Sequence, residues 1–157
     1  MDAVAGIISR ELHRLMIDGI KYERIAEQEW SMRLFEDREV LSYLNSRLDV
    51  KKSIYDAIVF DSEVERKFAE GLDQREDIKL FVKLPRWFII ETPIGTYNPD
   101  WSIVKHDDET IYLMRETKST KDFEKLRNAE ADRIRCGRKH FEALDMGFEV
   151  VMSSGEV

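Results

Sequence analysis

The feature that most constrains the fold is a run of short apolar segments between residues 78 and 118. The segments are rich in β-branched and aromatic residues and are separated by turn-prone residues, which is typical of strands. They are IKLFVKL (78–84), WFIIET (87–92), SIVKH (102–106) and TIYLMRETK (110–118). Turn signals lie at 92–95, 98–100 and 106–109, so we predict successive, largely antiparallel strands.

A helical pattern precedes these strands. Residues 62–72 carry an apolar stripe at helical spacing, and Asp61 and Ser62 form a good N-cap pair. Ser62 and Glu65 also have the spacing of a capping box, in which two side chains satisfy backbone N–H groups at the start of a helix. We therefore predict a helix over 62–72.

A second helical pattern and a final strand follow the predicted sheet. From 122 to 144 the apolar residues lie close to one helical face, and Gly137 in this stretch indicates close packing against the sheet. The apolar run 148–152 predicts a last strand. Because a helical crossover leads to it, this strand can lie parallel to an earlier one.

The first sixty residues are predicted to be mostly helical. Apolar side chains recur at helical spacing over 2–18, and similar patterns occur around 21–34 and 37–47. We therefore expect a helical extension (residues 1–60) joined to a core (residues 61–157) in one compact unit.

Composition favours a soluble domain. The 157 residues are 43% hydrophobic and 36% charged, without a low-complexity segment. No apolar run approaches the roughly 20 residues of a membrane span, and residues 1–14 lack the apolar stretch of a signal peptide. A single cysteine, Cys136, excludes an internal disulfide and, with only three histidines, argues against structural zinc. We expect a cytoplasmic protein without membrane contact.

The charge is unevenly distributed. The net charge of −7 argues against nucleic-acid binding by electrostatics alone. Residues 1–80 contain 13 Lys/Arg and 18 Asp/Glu, whereas residues 115–140 contain 9 Lys/Arg and 5 Asp/Glu. This basic segment is either a solvated helix face or a surface for DNA phosphates. The candidate DNA-binding residues are Lys121, Lys125, Arg133, Arg138 and Lys139.

Three side chains are predicted to converge at the end of the sheet. Strand alternation places Glu116 and Lys118 on one face. If 99–106 pairs antiparallel with 110–118, residues whose numbers sum to about 216 or 217 face each other, and Asp100 lies opposite Glu116. Two facing carboxylates destabilise a sheet unless a cation binds them, and oxygen ligands suit Mg²⁺.

Such a centre predicts hydrolytic chemistry at a phosphoryl group. A cation held by Asp100 and Glu116 would polarise a phosphoryl oxygen and activate water, while Lys118 would orient that water or stabilise developing negative charge. Each residue also has a structural alternative. Asp100 could belong to an ordinary turn, Glu116 and Lys118 could form the polar face of an edge strand, and Glu65 could only cap its helix.

The same residues carry a family resemblance. Pro99-Asp100, followed after fifteen residues by Glu116-Thr117-Lys118, resembles the PD-(D/E)XK nuclease motif. The segments KSIYDAIVFDSEVERKFAEGL, FVKLPRWFIIETPIGTYNPDWSIV, YLMRETKST and IRCGRKHFEAL are similar to the C-terminal endonuclease domain of type III restriction enzyme Res subunits. The likeness covers most of residues 20–150.

The resemblance implies a fold, an activity and a set of site residues. The fold would be α/β, a restriction-endonuclease-like αβββαβ core with a mixed central sheet flanked by helices, plus the N-terminal helical extension. The activity would be Mg²⁺-dependent cleavage of DNA, with Mn²⁺ able to substitute. Asp100 and Glu116 would be metal ligands and Lys118 the catalytic lysine. Glu65 resembles the family's additional active-site acid, with Glu63 as its competitor.

The resemblance also implies partners. They are double-stranded DNA, a helicase/ATPase motor and a modification methyltransferase subunit, in a bacterial or archaeal cytoplasm. No Gly-x-x-x-x-Gly-Lys-Ser/Thr phosphate loop occurs in this sequence, so we expect a nuclease fragment or a stand-alone remnant. The alternative function is a catalytically silent nuclease-fold module that docks a partner subunit or holds DNA.

Overall fold

The computed structural model describes residues 2–23, 46–106, 111–118 and 128–157. The helices of this part are α1 (Asp2–Gly19), α2 (Glu63–Gln74) and α3 (Asn128–Glu142). The strands are β1 (Arg47–Asp49), β2 (Ala57–Val59), β3 (Ile78–Lys83), β4 (Trp101–Lys105), β5 (Ile111–Thr117) and β6 (Gly147–Val151). A 3₁₀ turn, Ser154–Glu156, follows β6.

The central sheet has four strands in the order β3-β4-β5-β6. β3 and β4, and β4 and β5, pair antiparallel, whereas β5 and β6 pair parallel through the α3 crossover. The predicted parallel last strand is therefore confirmed. From α2 to β6 the element order is αβββαβ, and the predicted mixed α/β fold class is confirmed as well.

Local sequence explains where α2 begins. Ser62 adopts an extended backbone and its side chain accepts a hydrogen bond from Glu65 N at 3.2 Å. Glu63 and Glu65 lie in the first turn, where carboxylates complement the positive end of the helix dipole. The buried residues of α2, Phe68, Ala69 and Leu72, face the sheet.

The sheet separates two apolar cores. The core on the α2 side comprises Ile58, Phe68, Ala69, Leu72, Ile78, Phe81, Trp101, Ile103 and Val151. The core on the α3 side comprises Leu84, Ile90, Tyr97, Met114, Ile134, Phe141, Phe148 and Val150. Alternation along β5 therefore directs Met114, and with it Glu116, towards α3.

The predicted strand over residues 87–92 is wrong. Lys83 pairs directly with Trp101, so residues 84–100 form an excursion between β3 and β4. It contains one isolated bridge, between Ile90 and Tyr97. The Asn98 amide donates hydrogen bonds to two carbonyls at the base of this excursion, which fixes it without a ladder of strand pairs.

The N-terminal segment is only partly helical. α1 confirms the first helical pattern, but β1 and β2 form an antiparallel hairpin within residues 1–60, where helix was expected. Asp73 Oδ1 anchors this hairpin to α2 by accepting from Lys51 N at 2.7 Å and Lys52 N at 2.8 Å. Most of the pattern at 21–34, and most of that at 37–47, lies outside the described residues. The division at residue 60 stays a prediction.

α1 contributes little to the apolar core. Among its described side chains only Ile17 is buried, and α1 packs against α3. The predicted apolar stripe is exposed; its members are Val4, Ile8, Leu12 and Leu15. Within the described ranges, no helix is both long and apolar enough to cross a membrane.

Candidate active site

Strand register brings Asp100 beside Glu116. Trp101 pairs with Arg115, and one further step along the same antiparallel register places Asp100 opposite Glu116. Asp100 immediately precedes β4, and its Oδ2 accepts hydrogen bonds from Thr117 N at 2.8 Å and Thr117 Oγ1 at 2.9 Å. Trp101 Nε1 donates to the same hydroxyl at 3.2 Å. These contacts fix the Asp100 carboxyl at the end of the sheet.

Glu116 lies opposite Asp100 at that strand end, and its side chain points towards α3. It is 4% exposed. Its Oε2 accepts from the Tyr97 hydroxyl at 2.6 Å, and its Oε1 pairs with Lys118 Nζ at 2.9 Å. Burial, and then the charge of Asp100, raise the pKa of Glu116 to about 7. The carboxylate is therefore available to bind a cation or proton near neutral pH.

Lys118 follows β5 directly, and both its backbone N–H and its side-chain ammonium have partners. Its backbone N–H donates to Val151 O at 3.1 Å, which extends the pairing with β6. Its Nζ lies 2.9 Å from Glu116 Oε1 and 2.9 Å from Glu130 Oε1. Burial alone would lower the pKa of Lys118, but the neighbouring carboxylates prevail and raise it. The side chain is thus a positive charge in the site.

The carboxylates of Asp100, Glu116 and Glu65 carry more negative charge than the single positive charge of Lys118 neutralises. Burial raises the pKa of Asp100; Lys118 and the Thr117 hydrogen bonds oppose that shift, and the charge of Glu65 adds to it. Both carboxyls that face each other across the strand end therefore have raised pKa values. A bound cation would relieve this repulsion.

Of the two candidate helix acids, Glu65 lies near Asp100 and Glu63 does not. Glu65 Oε2 accepts from Asp61 N at 2.7 Å and from Lys83 Nζ at 2.6 Å. It therefore holds the backbone just before α2 and lies near enough to Asp100 to raise the pKa of that group. Glu63 is exposed and pairs with Arg66 on the outer face of α2. The structure thus places Glu65, and not Glu63, beside the site.

The donor set fits a hard divalent cation. Asp100 and Glu116 supply carboxylate oxygens, the ligand type that Mg²⁺ prefers. Within the described ranges, no group of three or more His, Cys, Asp or Glu side chains is arranged to hold a metal. Mg²⁺ needs no such group, because it is commonly bound through one or two carboxylates and keeps several waters. Asp100 and Glu116 would hold it.

A cavity of about 350 Å³ opens beside Glu116. The excursion between β3 and β4 forms one wall and the first turns of α3 form the other. The lining residues are Arg86, Ile89, Thr96, Tyr97, Asn98, Glu116, Glu130, Arg133 and Ile134. Two exposed arginines therefore border a cavity whose wall contains a candidate metal ligand, which suits an anionic substrate.

The basic candidates do not share one face. Arg133 lines the cavity, whereas Arg138, five residues on, lies about 140° around the helix axis. Lys139 Nζ donates to Asp18 O at 2.9 Å and thereby satisfies a carbonyl at the end of α1. Lys121 and Lys125 lie outside the described residues.

Sequence reasoning missed three residues of the site. Tyr97, which bonds Glu116, lies in a segment that local composition marks only as turn-rich. Arg86 reaches the cavity because residues 84–100 fold as an excursion rather than a strand. One feature of the sequence could have indicated Glu130 as a site residue, namely its position early in the helix that follows Lys118. These contacts are tertiary, so spacing along the chain does not reveal them.

Comparison with known proteins gives one family. A family described as an endonuclease domain matches residues 51–154, which is more than half of the chain. No curated protein matches the chain, and no solved structure does. The matched range begins before β2 and contains every residue of the site described above. The chain therefore belongs to this endonuclease-domain family, as a nuclease with a restriction-endonuclease-like mixed α/β fold.

Proposed function

We propose that this chain is the Mg²⁺-dependent endonuclease domain of a type III restriction system and that it hydrolyses phosphodiester bonds of double-stranded DNA. Asp100 and Glu116 are the proposed metal ligands and Lys118 is the proposed catalytic lysine. The observation that carries the proposal is the convergence of these three side chains at one end of β4 and β5.

The roles of the residues follow from their contacts. When bound, Mg²⁺ would polarise a phosphoryl oxygen and lower the pKa of a water; Mn²⁺ would serve similarly. Thr117 holds Asp100 through two hydrogen bonds, and Tyr97 holds Glu116 through one. Because the neighbouring carboxylates raise its pKa, Lys118 stays protonated and acts by stabilising negative charge or orienting water, not as a general base.

Glu65 is proposed as a supporting acid. Its carboxylate already binds Lys83 and the backbone N–H of Asp61 just before α2, so its role is to set the electrostatic environment of Asp100. In the proposed system, a helicase/ATPase motor and a modification methyltransferase subunit would bring the domain to DNA. Sequence specificity would then come from the partners, and this chain would supply the hydrolysis.

The proposal is tested by an isosteric change at one ligand. Asp100→Asn removes the charge but keeps the shape, and we expect it to abolish Mg²⁺-dependent nicking of plasmid DNA. Asp49→Asn is the matched control, because Asp49 is an exposed acid on β1. Nicking by the Asp100 variant at the wild-type rate would refute the assignment.

Metal binding separates the nuclease from a silent docking module. A ligand that binds only the folded state raises the melting temperature. We expect Mg²⁺ or Mn²⁺ to raise the melting temperature of the wild-type protein but not that of the Asp100→Asn variant. Equal behaviour of the two proteins would favour the module that only docks a partner or holds DNA.

A further inference from the structure

Lys118 lies between two carboxylates, only one of which belongs to the proposed metal centre. We propose that Glu130, on the first turn of α3, is a positioning residue that retains Lys118 at the cavity when a cation takes the carboxylate of Glu116. This inference rests on the proposed function and adds a residue that the nuclease motif does not contain.

The geometry shows a shared ammonium group. Lys118 Nζ is 2.9 Å from Glu116 Oε1 and 2.9 Å from Glu130 Oε1. The two carboxylates approach it from different elements, since Glu116 lies on β5 and Glu130 on α3. The lysine thus connects the end of the sheet to the helix that closes the site.

Both oxygens of Glu116 already have partners. Tyr97 donates to Oε2 and Lys118 pairs with Oε1. A divalent cation held by this carboxylate would lie close to the ammonium, and the two positive charges would repel each other. Lys118 would then weaken its contact with Glu116, and its position would depend on Glu130, its other ion-pair partner in the described part of the chain.

Glu130 is suited to be that partner. Its side chain is 39% exposed, so its carboxylate costs little to keep charged, whereas Glu116 is buried. Glu130 and Glu116 both line the cavity. An ammonium retained by Glu130 therefore stays at the edge of the cavity in which substrate would bind, instead of turning into solvent.

Two other roles for Glu130 make different predictions. An acid in the first turn of a helix also stabilises the helix dipole, which would affect stability but not Lys118. A carboxylate in a metal cavity could itself bind the cation, which would change the metal dependence of the reaction. The experiment below separates these roles.

The test compares Glu130→Gln and Glu130→Asp with Glu142→Gln, which removes the same charge from the exposed far end of α3. Single-turnover cleavage is measured at saturating Mg²⁺, together with the half-saturating Mg²⁺ concentration. We expect Glu130→Gln to slow cleavage by on the order of tenfold to a hundredfold, because small misplacements of a catalytic group carry costs of this size. Glu130→Asp should recover part of the rate, and Glu142→Gln should keep the wild-type rate.

A double-mutant cycle distinguishes positioning of Lys118 from a purely structural role of Glu130. In a Lys118→Ala background, Glu130→Gln should cause no further loss, because the residue to be positioned is gone. An equal loss in both backgrounds would overturn the proposal. So would an unchanged rate in Glu130→Gln alone, or a shift in the half-saturating Mg²⁺ concentration that identifies Glu130 as a ligand.

A measurement without DNA keeps this inference separate from the proposed function. The reactivity of Lys118 towards an amine-modifying reagent is followed by peptide mass spectrometry, with and without Mg²⁺. In Mg²⁺, Lys118 should react faster in the Glu130→Gln protein than in the wild type or Glu142→Gln, since it has lost its second partner. Equal protection in all three proteins contradicts positioning by Glu130. A wild-type protein that shows this protection but cuts no DNA contradicts the nuclease proposal alone.

Discussion

At the scale of single residues, burial and the neighbouring charge of Asp100 raise the pKa of Glu116. The side chain is buried at the cavity wall, and among the described residues Tyr97 donates to one of its oxygens and Lys118 pairs with the other. Strand alternation and the register sum predicted that Asp100, Glu116 and Lys118 would meet. Neither pattern predicted Tyr97 or Glu130, because these contacts depend on how the excursion and α3 pack on the sheet.

The raised pKa of Glu116 predicts an unusual pH dependence of stability. The pKa is about 7 in the folded protein, against a usual value of 4.5. Between these values the folded state binds more protons than the unfolded state, so the free energy of unfolding falls as pH rises. We expect the metal-free protein to lose melting temperature from pH 4.5 to about 7. Asp100, whose pKa burial also raises, acts in the same direction.

Thermal melts in a chelator, repeated in Mg²⁺, measure this effect. Mg²⁺ should remove most of the loss, because it stabilises the ionised carboxylates. Glu116→Gln should flatten the metal-free profile over the same window. Salt bridges lower the pKa of Asp61 and Asp77, so their contributions are lost only at more acidic pH. Burial lowers the pKa of His140, which stabilises the folded state as pH rises through the same window. The difference between the wild-type and Glu116→Gln profiles therefore isolates the contribution of Glu116, and identical metal-free profiles would contradict the assignment.

At the scale of elements, sequence patterns predicted the helices and strands of the core more accurately than the segment that connects β3 to β4. α2, α3 and β6 lie close to their predicted positions, because capping, helical periodicity and an apolar run are local signals. The predicted strand at 87–92 has suitable composition, but β3 pairs directly with β4, and within the described ranges residues 87–92 form only the isolated bridge between Ile90 and Tyr97. Composition indicates which segments can form strands; pairing decides which of them do.

Gly137 shows how α3 and the site depend on one another. A Cβ at this position would lie 2.3 Å from Cε1 of Tyr97, whose hydroxyl bonds Glu116. We expect Gly137→Ala to destabilise the protein by about 1–3 kcal/mol through overpacking, and to slow cleavage because the Tyr97 ring must move. Gly6→Ala in α1 is the control: a Cβ there meets nothing within 4 Å, and the change should stabilise the helix by up to about 1 kcal/mol. Urea unfolding measures both, and equal stability of the two variants would contradict the close contact.

The orientation of α3 also predicts which arginine contacts DNA. Arg133 lines the cavity, whereas Arg138 projects from a different side of the same helix. We expect Arg133→Ala to weaken DNA binding in Ca²⁺ and to reduce the slope of log affinity against log salt by about 1, as for one lost phosphate contact. Arg138→Ala should change both quantities less. If the two variants weaken binding equally, the general charge of the helix, and not the cavity, attracts DNA.

At the scale of the whole molecule, the electrostatic field opposes the proposed substrate. The net charge of −7 repels DNA at a distance, while the local arginines and a bound cation attract it at short range. Partners that raise the local concentration of the domain on DNA, such as the proposed motor and methyltransferase, would offset this repulsion. The activity of the isolated chain should therefore be limited by encounter with DNA and not by the competence of its site.

In the isolated protein, added salt distinguishes a rate limited by encounter with DNA from a rate limited by the site itself. Binding to DNA by this chain should fall within the non-specific range of about 10⁻⁴–10⁻⁶ M and weaken steeply between about 50 and 200 mM salt. Metal binding at Asp100 and Glu116 should persist over that range, because buried charges are screened much less than exposed ones. We therefore expect DNA cleavage to fall with added KCl while the Mg²⁺-induced rise in melting temperature is largely retained. Cleavage that resists salt would show that contacts other than phosphate pairing hold the DNA. If added KCl removed both DNA cleavage and the Mg²⁺-induced rise in melting temperature, the metal site would have to lie on the exposed surface, which contradicts the burial of Glu116.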